Sequence, residues 1–422
     1  MIQHAARAFR AAKIIGLLDI GTSKIVCLVV AAGDAAISAE VRLLGLGHQR
    51  ARGIKAGVVV DLDLAEAAVR AAVTQAERMA GVQRGAVYLA VACGRIKSLN
   101  FNAHAASETG VVGPADLDRL LLAGREFAER GGRALVHLNA LSYSLDGAAV
   151  PAGPLGLAGR RIEAGLHAVV VDEAPLRNLL HVAERAQLTV AGLVPAPFAS
   201  ALGVTTPEER RQGVLIVDLG AGATTLAMFC EGHFAAAASM PVGGHHITYD
   251  IARALAAPLA EAERIKTLYG TMLRAPSDVD ETVSYQFTGA GASELRQTSK
   301  ADVARIVGPR VSSVLAMVAE RIDRSGVPAS LIGRVVLTGG ASQLVGIGEF
   351  AARALGRPVR IGRPAAIGGM PESVMSPALA TAIGLLHAAH DPAAGVRCDE
   401  FAGLLQERGV LGRVGQWLRA GT

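Results

Sequence analysis

One pattern occurs twice in this chain, about half its length apart. Residues 14–29 read IIGLLDIGTSKIVCLV, and residues 214–229 read VLIVDLGAGATTLAMF. Each is an apolar strand, an aspartate, an apolar residue, a glycine, a short turn of small and polar residues, then a second apolar strand. Asp19 and Asp218 head the two turns. A β-hairpin duplicated at this spacing predicts two similar α/β domains facing one another. The chain has 422 residues, enough for two or more cores.

The paired turns carry the chemistry that a nucleoside triphosphate requires. Glycines let main-chain amides approach phosphates without an intervening Cβ, and carboxylates hold the accompanying cation. The first turn supplies Asp19, Gly21, Thr22, Ser23 and Lys24; the second supplies Asp218, Gly220, Ala221, Gly222 and Thr224. One such turn alone reads as an ordinary β-turn, whereas a matched pair reads as two walls of a cleft. No GxxxxGK[ST] loop and no GxGxxG fingerprint occurs, so P-loop and Rossmann readings drop out. VVLTGGAS at 335–342 runs a buried strand into Gly339-Gly340, followed by Ala341 and Ser342, bare backbone on which a flat base can lie. Glu263 and Lys266 stand three apart on one helix face, either as ribose or base contacts or as a solvated ion pair.

Between the hairpins the text alternates strands and helices. An amphipathic helix is predicted to end at Ala80, with Asp61 or Asp63 as its cap and Gly81 as its stop. Strands are predicted at 86–92 and 168–172, and a helix over 174–187. The block 96–165 has a different texture, with polar loops, PAGPLGLAG at 151–159 and strands near 135–145, and reads as an inserted subdomain. Gly243-Gly244 opens a helix whose first amides either face an anion or simply begin the helix. A helix follows at 259–270, then a long one from about 301 to 325, expected to break at Pro309. The expected organisation is a first domain over 13–95 and 166–205 around the insertion. A second domain follows at 206–250 and 305–389, with a small subdomain at 251–304, a linker at 390–400 and a terminal unit at 401–422.

Bulk properties narrow the class. Hydrophobic residues make up 51% and mean hydropathy is +0.36, yet no apolar run approaches the roughly 18 residues a spanning helix needs. No signal-peptide core is present; Arg7, Arg10 and Lys13 among alanines read as a frayed basic tail rather than a transit peptide. Cys27, Cys93, Cys230 and Cys398 are widely separated, which gives neither a disulfide framework nor a zinc site and fits a reducing cytoplasm. The net charge of +5 comes from scattered arginines without interleaved aromatics, so nucleic acid is not an expected partner.

The terminal unit is amphipathic. In LLQERGVLGRVGQWLR at 404–419, Leu404, Leu411, Val414, Trp417 and Leu418 fall on one side of a helix, and Arg408, Arg413 and Arg419 flank or oppose it. Such a helix lies flat on an anionic lipid surface or packs on the protein itself. Three interior glycines weaken it by roughly 1 kcal/mol each relative to alanine, so it is expected to form on binding.

LLDIGTSK, VLIVDLGAGATTLAMF and VVLTGGASQLVG, with RGIKAGVVVDLD, PVGGHHITYDIA, AERIK and TAIGLLH in order, resemble the FtsA family of bacterial cell-division proteins. The likeness runs from about residue 13 to the C-terminus. It implies an α/β, actin-like (ribonuclease H-like, duplicated) two-domain fold with an inserted subdomain in the first half. By position it implies ATP contacts from Gly21, Thr22, Ser23, Lys24, Gly220 and Gly222, and Mg2+ held mostly through water near Asp19 and Asp218. Adenosine would meet Gly339, Gly340, Ala341 and Ser342, with Glu263 and Lys266 at the ribose and base. It further implies head-to-tail polymers and tethering of FtsZ filaments to the inner face of the cytoplasmic membrane at the division site. Leu411, Arg413, Val414, Trp417, Leu418 and Arg419 would meet lipid. Arg296, Lys300, Arg305 and Arg310, otherwise a solvated basic face, would receive the FtsZ C-terminal tail. Later division proteins would dock on the insertion.

Two departures stand out. Ala221 and Ala223 replace a glycine and a threonine of the superfamily's second phosphate turn, with Thr224 as a nearby substitute for the lost hydroxyl. Ala196, in LVPAPFASALGV, occupies a position where hydrolysing relatives place Glu or Gln to orient water, so slow or negligible hydrolysis is expected. Three alternatives are a pilus-assembly relative of the PilM type, an actin-fold sugar kinase, which the alanine disfavours, and an Hsp70-like chaperone. The last lacks room for a substrate domain, since only about 30 residues follow position 390.

Overall fold

The two apolar hairpins become the centres of two sheets in the computed structural model, which describes residues 13–32, 41–289, 292–370, 375–390 and 396–397. Lys13–Ile20 pairs antiparallel with Lys24–Ala32, Asp19 opposite Val26. Val214–Leu219 pairs in the same way with Thr224–Cys230, Asp218 opposite Thr225. The surroundings match too. Val41–Arg50 and His233–Met240 extend the hairpins antiparallel. Val87–Val91 and Arg334–Thr338 flank the first strands in parallel, and Val190–Pro195 and Val359–Ile361 lie beyond them, again parallel. The two domains are copies of one five-stranded unit. Strands covered on both faces need apolar side chains at every position rather than every second one, and Leu215, Ile216 and Val217 are all fully buried.

Small residues set how closely the layers approach. The helix Leu62–Ala80 is capped by Asp61, whose Oδ1 accepts from the Leu64 amide at 3.0 Å, and ends at Gly81 in the left-handed conformation. It turns Ala65, Ala68, Ala72 and Ala76 towards the first sheet. Two further helices, Ala196–Val204 and Ala380–His390, cross where the domains join. A Cβ on Gly384 would lie 1.7 Å from the Ala199 carbonyl oxygen, and one on Gly203 would lie 2.4 Å from that of Ala380. The crossing is backbone on backbone, and no side chain fits there.

The block between the two parts of the first domain adds the strands Lys97–Ala106, Arg133–Leu145 and Arg161–Asp172 and the helix Pro114–Ala128, with a small core around Leu120, Ile162 and Leu166. Its sheet is continuous with that of the second domain, joined where Lys97 pairs with Ala238. The joint is held by polar contacts: Ser98 Oγ donates to the Ala237 carbonyl at 3.1 Å, and Asn139 Nδ2 to that of Phe234 at 3.1 Å. The rings of His137, His167, Phe198 and Phe234 pack around it. Burial pushes the His167 imidazole down to about 3, so it is neutral.

Two expectations are corrected. The long helix is continuous from Lys300 to Asp323 with Pro309 inside it, because one missing amide does not outweigh a face of eight buried residues from Val303 to Ile322. Part of the predicted linker is a strand: Val396–Arg397 pairs antiparallel with Gly192 and Leu193 at the edge of the first sheet. Arg7, Arg10, Cys398 and the amphipathic segment, including Leu411, Arg413, Val414, Trp417, Leu418 and Arg419, lie outside the described residues. Among the described residues no helix is long and apolar enough to cross a membrane.

Candidate functional site

The turns of both hairpins open onto one cavity of about 550 Å³. Each turn has four residues between paired strand ends, Ile20 with Ile25 and Leu219 with Thr224, so Gly21 corresponds to Gly220, Thr22 to Ala221, Ser23 to Gly222 and Lys24 to Ala223. All eight line the cavity, as do Asp19 and Asp218. The turns touch: a Cβ on Gly222 would sit 2.6 Å from Thr22 Oγ1. Thr22 Oγ1 in turn accepts from the Gly57 amide at 2.9 Å.

The electrostatics follow from two acids and one base in a buried space. Burial pushes the Asp19 carboxyl up to about 6, against the pull of Lys24 and with help from Asp218. Burial also raises Asp218, opposed by a hydrogen bond from Thr381 Oγ1 at 3.2 Å and by Lys24. Burial draws the Lys24 ammonium below the usual lysine range, while both aspartates resist. Lys24 donates to the Ala378 carbonyl, in the segment leading back to the first domain. With both acids ionised the trio carries an excess negative charge. Hard oxygen donors of this kind suit a magnesium ion, which keeps most of its water and takes one or two carboxylates. The hydroxyl of Thr225, buried and on the cavity wall, has no hydrogen-bond partner, a further oxygen available to a hydrated cation. Among the described residues no group of three or more metal-ligating side chains occurs. The residues fit a cation held largely through its own water and a phosphate chain.

The opposite wall comes from the second domain. Gly339, Gly340 and Ala341 line it, with Gln343 and Leu344. Gly339 has φ 82 and stands so close to Asp218 that a Cβ would meet its Oδ1 at 2.3 Å, so this position requires glycine twice over. Glu263 and Lys266 line the cavity and are paired at 2.7 Å. Lys266 also donates to Thr248 Oγ1 at 3.0 Å and the Gly244 carbonyl at 3.3 Å, so its donors brace two helices. Burial works to raise Glu263, but hydrogen bonds from Lys266 and Thr248 outweigh it and hold the carboxyl low.

Three sequence expectations change here. Thr224 does not reach the cavity: it is fully buried and donates to the Val242 carbonyl at 2.7 Å, because side chains alternate along a strand and Thr225 takes the cleft face. Ser342 is also buried, donating back to the Gly339 carbonyl at 2.8 Å, so it shapes the turn without lining the cavity. The helix Gly244–Leu255 does not aim its first amides at an anion; those of Gly244 and His245 bond the carbonyls of Gly220 and Ala221 at 2.9 and 2.8 Å. That helix end braces the second turn. Ala221 sits there outside the left-handed region, so its methyl group imposes no strain. Sequence reasoning missed Thr225, His245, Ala378 and Thr381. Counting strand pairs from Asp218 would have found Thr225; Thr381, distant in sequence, carries no local signal.

A family model described as "Cell division protein FtsA" matches residues 215–384, and one described as "SHS2 domain inserted in FTSA" matches 93–170. Cell division protein FtsA of Agrobacterium fabrum is 36% identical over 417 residues, covering 96% of this chain and 94% of that protein. The chain belongs to the FtsA family. FtsA of Escherichia coli K12 is 30% identical over 414 residues, covering 96% of each. The family assignment makes this a cell-division protein and displaces the pilus-assembly and sugar-kinase alternatives. Among solved structures, the PilM-PilN type IV pilus biogenesis complex contains a chain with TM-score 0.63 and 17% identity, covering 90% of this chain and 99% of that one. MreB5 of Spiroplasma citri bound to ADP has TM-score 0.54 and 14% identity, covering 89% and 95%. These two likenesses show the fold, which is actin-like.

The four basic residues assigned to a partner lie outside the cleft, and each has an acidic neighbour. Arg296 stacks on Phe287 and pairs with Glu294 at 3.3 Å. Lys300 pairs with Glu281 at 2.8 Å, Arg305 with Asp302 at 2.7 Å and Arg310 with Asp250 at 2.7 Å. Arg305, with its side chain 79% exposed, also lines a groove of about 290 Å³ with Arg274, Pro309, Ser312 and Phe350. The sequence grouped these cations as one patch, but ion pairing divides them.

Proposed function

We propose that this FtsA-family chain binds ATP with Mg2+ between its two hairpins and uses the bound state to assemble rather than to turn over substrate. The observation that carries this reading is the pair of equal four-residue turns converging on one cavity. The first turn offers amides, the Thr22 and Ser23 hydroxyls and the Lys24 ammonium to phosphates. Gly220, Ala221 and Gly222 do so from the other side. Asp19 and Asp218 hold the hydrated cation, which neutralises phosphate charge. Gly339, Gly340 and Ala341 receive the adenosine, and Glu263 faces the ribose or base. Ala196 on the cavity wall has no group to orient or deprotonate water, so hydrolysis stays below about one turnover per second, slow against typical enzymes.

The bound nucleotide closes the domains about the crossing of Ala196–Val204 and Ala380–His390, fixing the shape in which copies stack head to tail. The 401–422 segment attaches the polymer to anionic lipid on the inner face of the membrane, weakly per copy and firmly in an array. The groove beside Arg305 and Arg274 takes the C-terminal tail of FtsZ, and the insertion takes later division proteins. Equilibrium titration of the full chain with ATP, with and without Mg2+, tests the core of this reading: no saturable Mg2+-dependent binding would overturn it. Flotation with anionic liposomes tests the tether, since removal of 401–422 should release the protein.

A further inference from the structure

Thr225 stands directly across the second hairpin from Asp218, and residues paired in this way share one face of the sheet. It is 6% exposed, it lines the cleft, and its hydroxyl has no hydrogen-bond partner. Buried hydroxyls are almost always bonded, because an unpaired one loses its hydration for nothing in return. The next residue shows the ordinary outcome: Thr224 Oγ1 is bonded to the Val242 carbonyl at 2.7 Å. An orphan hydroxyl that faces a polar cavity beside a carboxylate is a group whose partner arrives from outside.

The neighbours define that partner's chemistry. Asp19, Asp218 and Lys24 surround the same space, and the Oδ2 of Asp218 already accepts from Thr381. A hydrated magnesium ion presents water protons outward and is gripped through oxygen acceptors. A threonine hydroxyl has two acceptor lone pairs and one donor. We propose that Thr225 accepts a hydrogen bond from a water of the hydrated cation that enters with the triphosphate, so that Asp218 and Thr225 together form its outer-shell cradle on the second-domain side. The inference rests on the ATP reading above and adds a residue to it. Being neutral, Thr225 supplies an acceptor without a third negative charge beside a single ammonium. A hydroxyl is also too weak a base to take a proton from an attacking water. The hydroxyl that seats the cation therefore takes no part in activating water.

Opposite effects in two measurements test this. Full-length protein carrying T225V, in which a methyl takes the place of the hydroxyl, is compared with wild type and T225S. The readouts are thermal unfolding without ligand and titration of ATP in excess Mg2+ and in EDTA. The expected result is that T225V melts higher than wild type without ligand, because the orphan hydroxyl is gone. The same variant should bind ATP fivefold to tenfold more weakly in Mg2+ and unchanged in EDTA, and T225S should restore the Mg2+-dependent affinity. Equal affinity of T225V and wild type in Mg2+ overturns the inference, and so does an equal loss in both buffers, which assigns the hydroxyl to the nucleotide instead. Absence of binding by wild type in Mg2+ sinks the ATP reading itself, an outcome visible before any variant is made.

Discussion

The two hairpins share their turn length, their leading aspartate and their first glycine, yet they differ at every other position that faces the cleft. The first turn ends in Lys24 where the second has Ala223. Val26 backs Asp19 where Thr225 backs Asp218. Thr22 fills the space that Gly222 leaves open. The first wall carries an acid, an ammonium and two hydroxyls, and the second an acid, bare backbone and one hydroxyl. Duplication preserved the geometry that brings two acids to one cavity, while divergence made the walls complementary.

The largest effect is expected where the asymmetry is greatest. Lys24→Ala removes the only cation among the three buried charges and leaves two carboxylates facing one another. Breaking a buried pair in this way typically costs about 3–5 kcal/mol. Part of that is recovered here because burial already raises both acids toward protonation. Denaturant unfolding should show a loss of roughly 2–3 kcal/mol at neutral pH, and titration should show no measurable ATP binding. Ala223→Lys in the same chain places an ammonium at the equivalent position of the other wall. If it restores binding, the two walls are interchangeable and the asymmetry carries no function.

The next test breaks the contact between the turns. Gly222→Ala drives a methyl against Thr22, whose Oγ1, Cγ2 and Cβ all lie within 3 Å of it, so the hairpins must part. Overpacking of this kind costs about 1–3 kcal/mol, and ATP affinity should fall about tenfold to a hundredfold. Thr22→Gly in the same chain removes all three atoms, where alanine would keep the Cβ at 2.9 Å, and should restore most of the lost stability. A double mutant no better than Gly222→Ala alone would show that the turns do not meet in solution.

Asp19 gives a pH signature that sharpens the comparison. Its folded value near 6 exceeds the unfolded 3.8, so the ligand-free folded state binds a proton that the unfolded chain does not between about pH 6 and 4. The ionised carboxylate therefore lowers stability above pH 6, and this penalty disappears as pH falls through 6 toward 4. Asp19→Asn should melt higher than wild type at pH 7.5, by roughly 1–2 kcal/mol of stability, and the gap should close near pH 4. A gap independent of pH would contradict the burial argument.

Much of this was legible in the sequence, and particular residues show where legibility ended. The strand-turn-strand repeat gave both hairpins, because fully covered strands need continuous apolar text and phosphate turns need glycine. Asp61 and Gly81 marked their helix because caps are local. Thr224 and Thr225 are both threonines beside the turn, and only the pairing register shows which one faces the cleft. The continuous sheet from the insertion into the second domain rests on one backbone pair, Lys97 with Ala238, between residues of ordinary composition. Pro309 misled because its local cost is outweighed by packing along the helix. Thr381 reaches Asp218 from 163 residues away, a distance over which no window of sequence carries a signal.

The smallest expected effect concerns Ala223, where the resemblance implies a threonine. Ala223→Thr adds a hydroxyl to the second turn, on the cavity wall. If the phosphates depended on that hydroxyl, this chain would bind ATP poorly and the substitution would tighten it by an order of magnitude. The structure argues for less. The turn is already braced, with the carbonyls of Gly220 and Ala221 bonded to the helix beginning at Gly244, and Thr225 faces the same space from the next strand position of that orientation. One added neutral hydrogen bond contributes about 0.5–1.5 kcal/mol, and a competing hydroxyl nearby reduces it. Titration should show a gain of no more than about threefold in Mg2+, set against the fivefold to tenfold loss expected for T225V. A gain near a hundredfold would mean that the second wall lacks its principal contact, and that the first hairpin alone holds the phosphates.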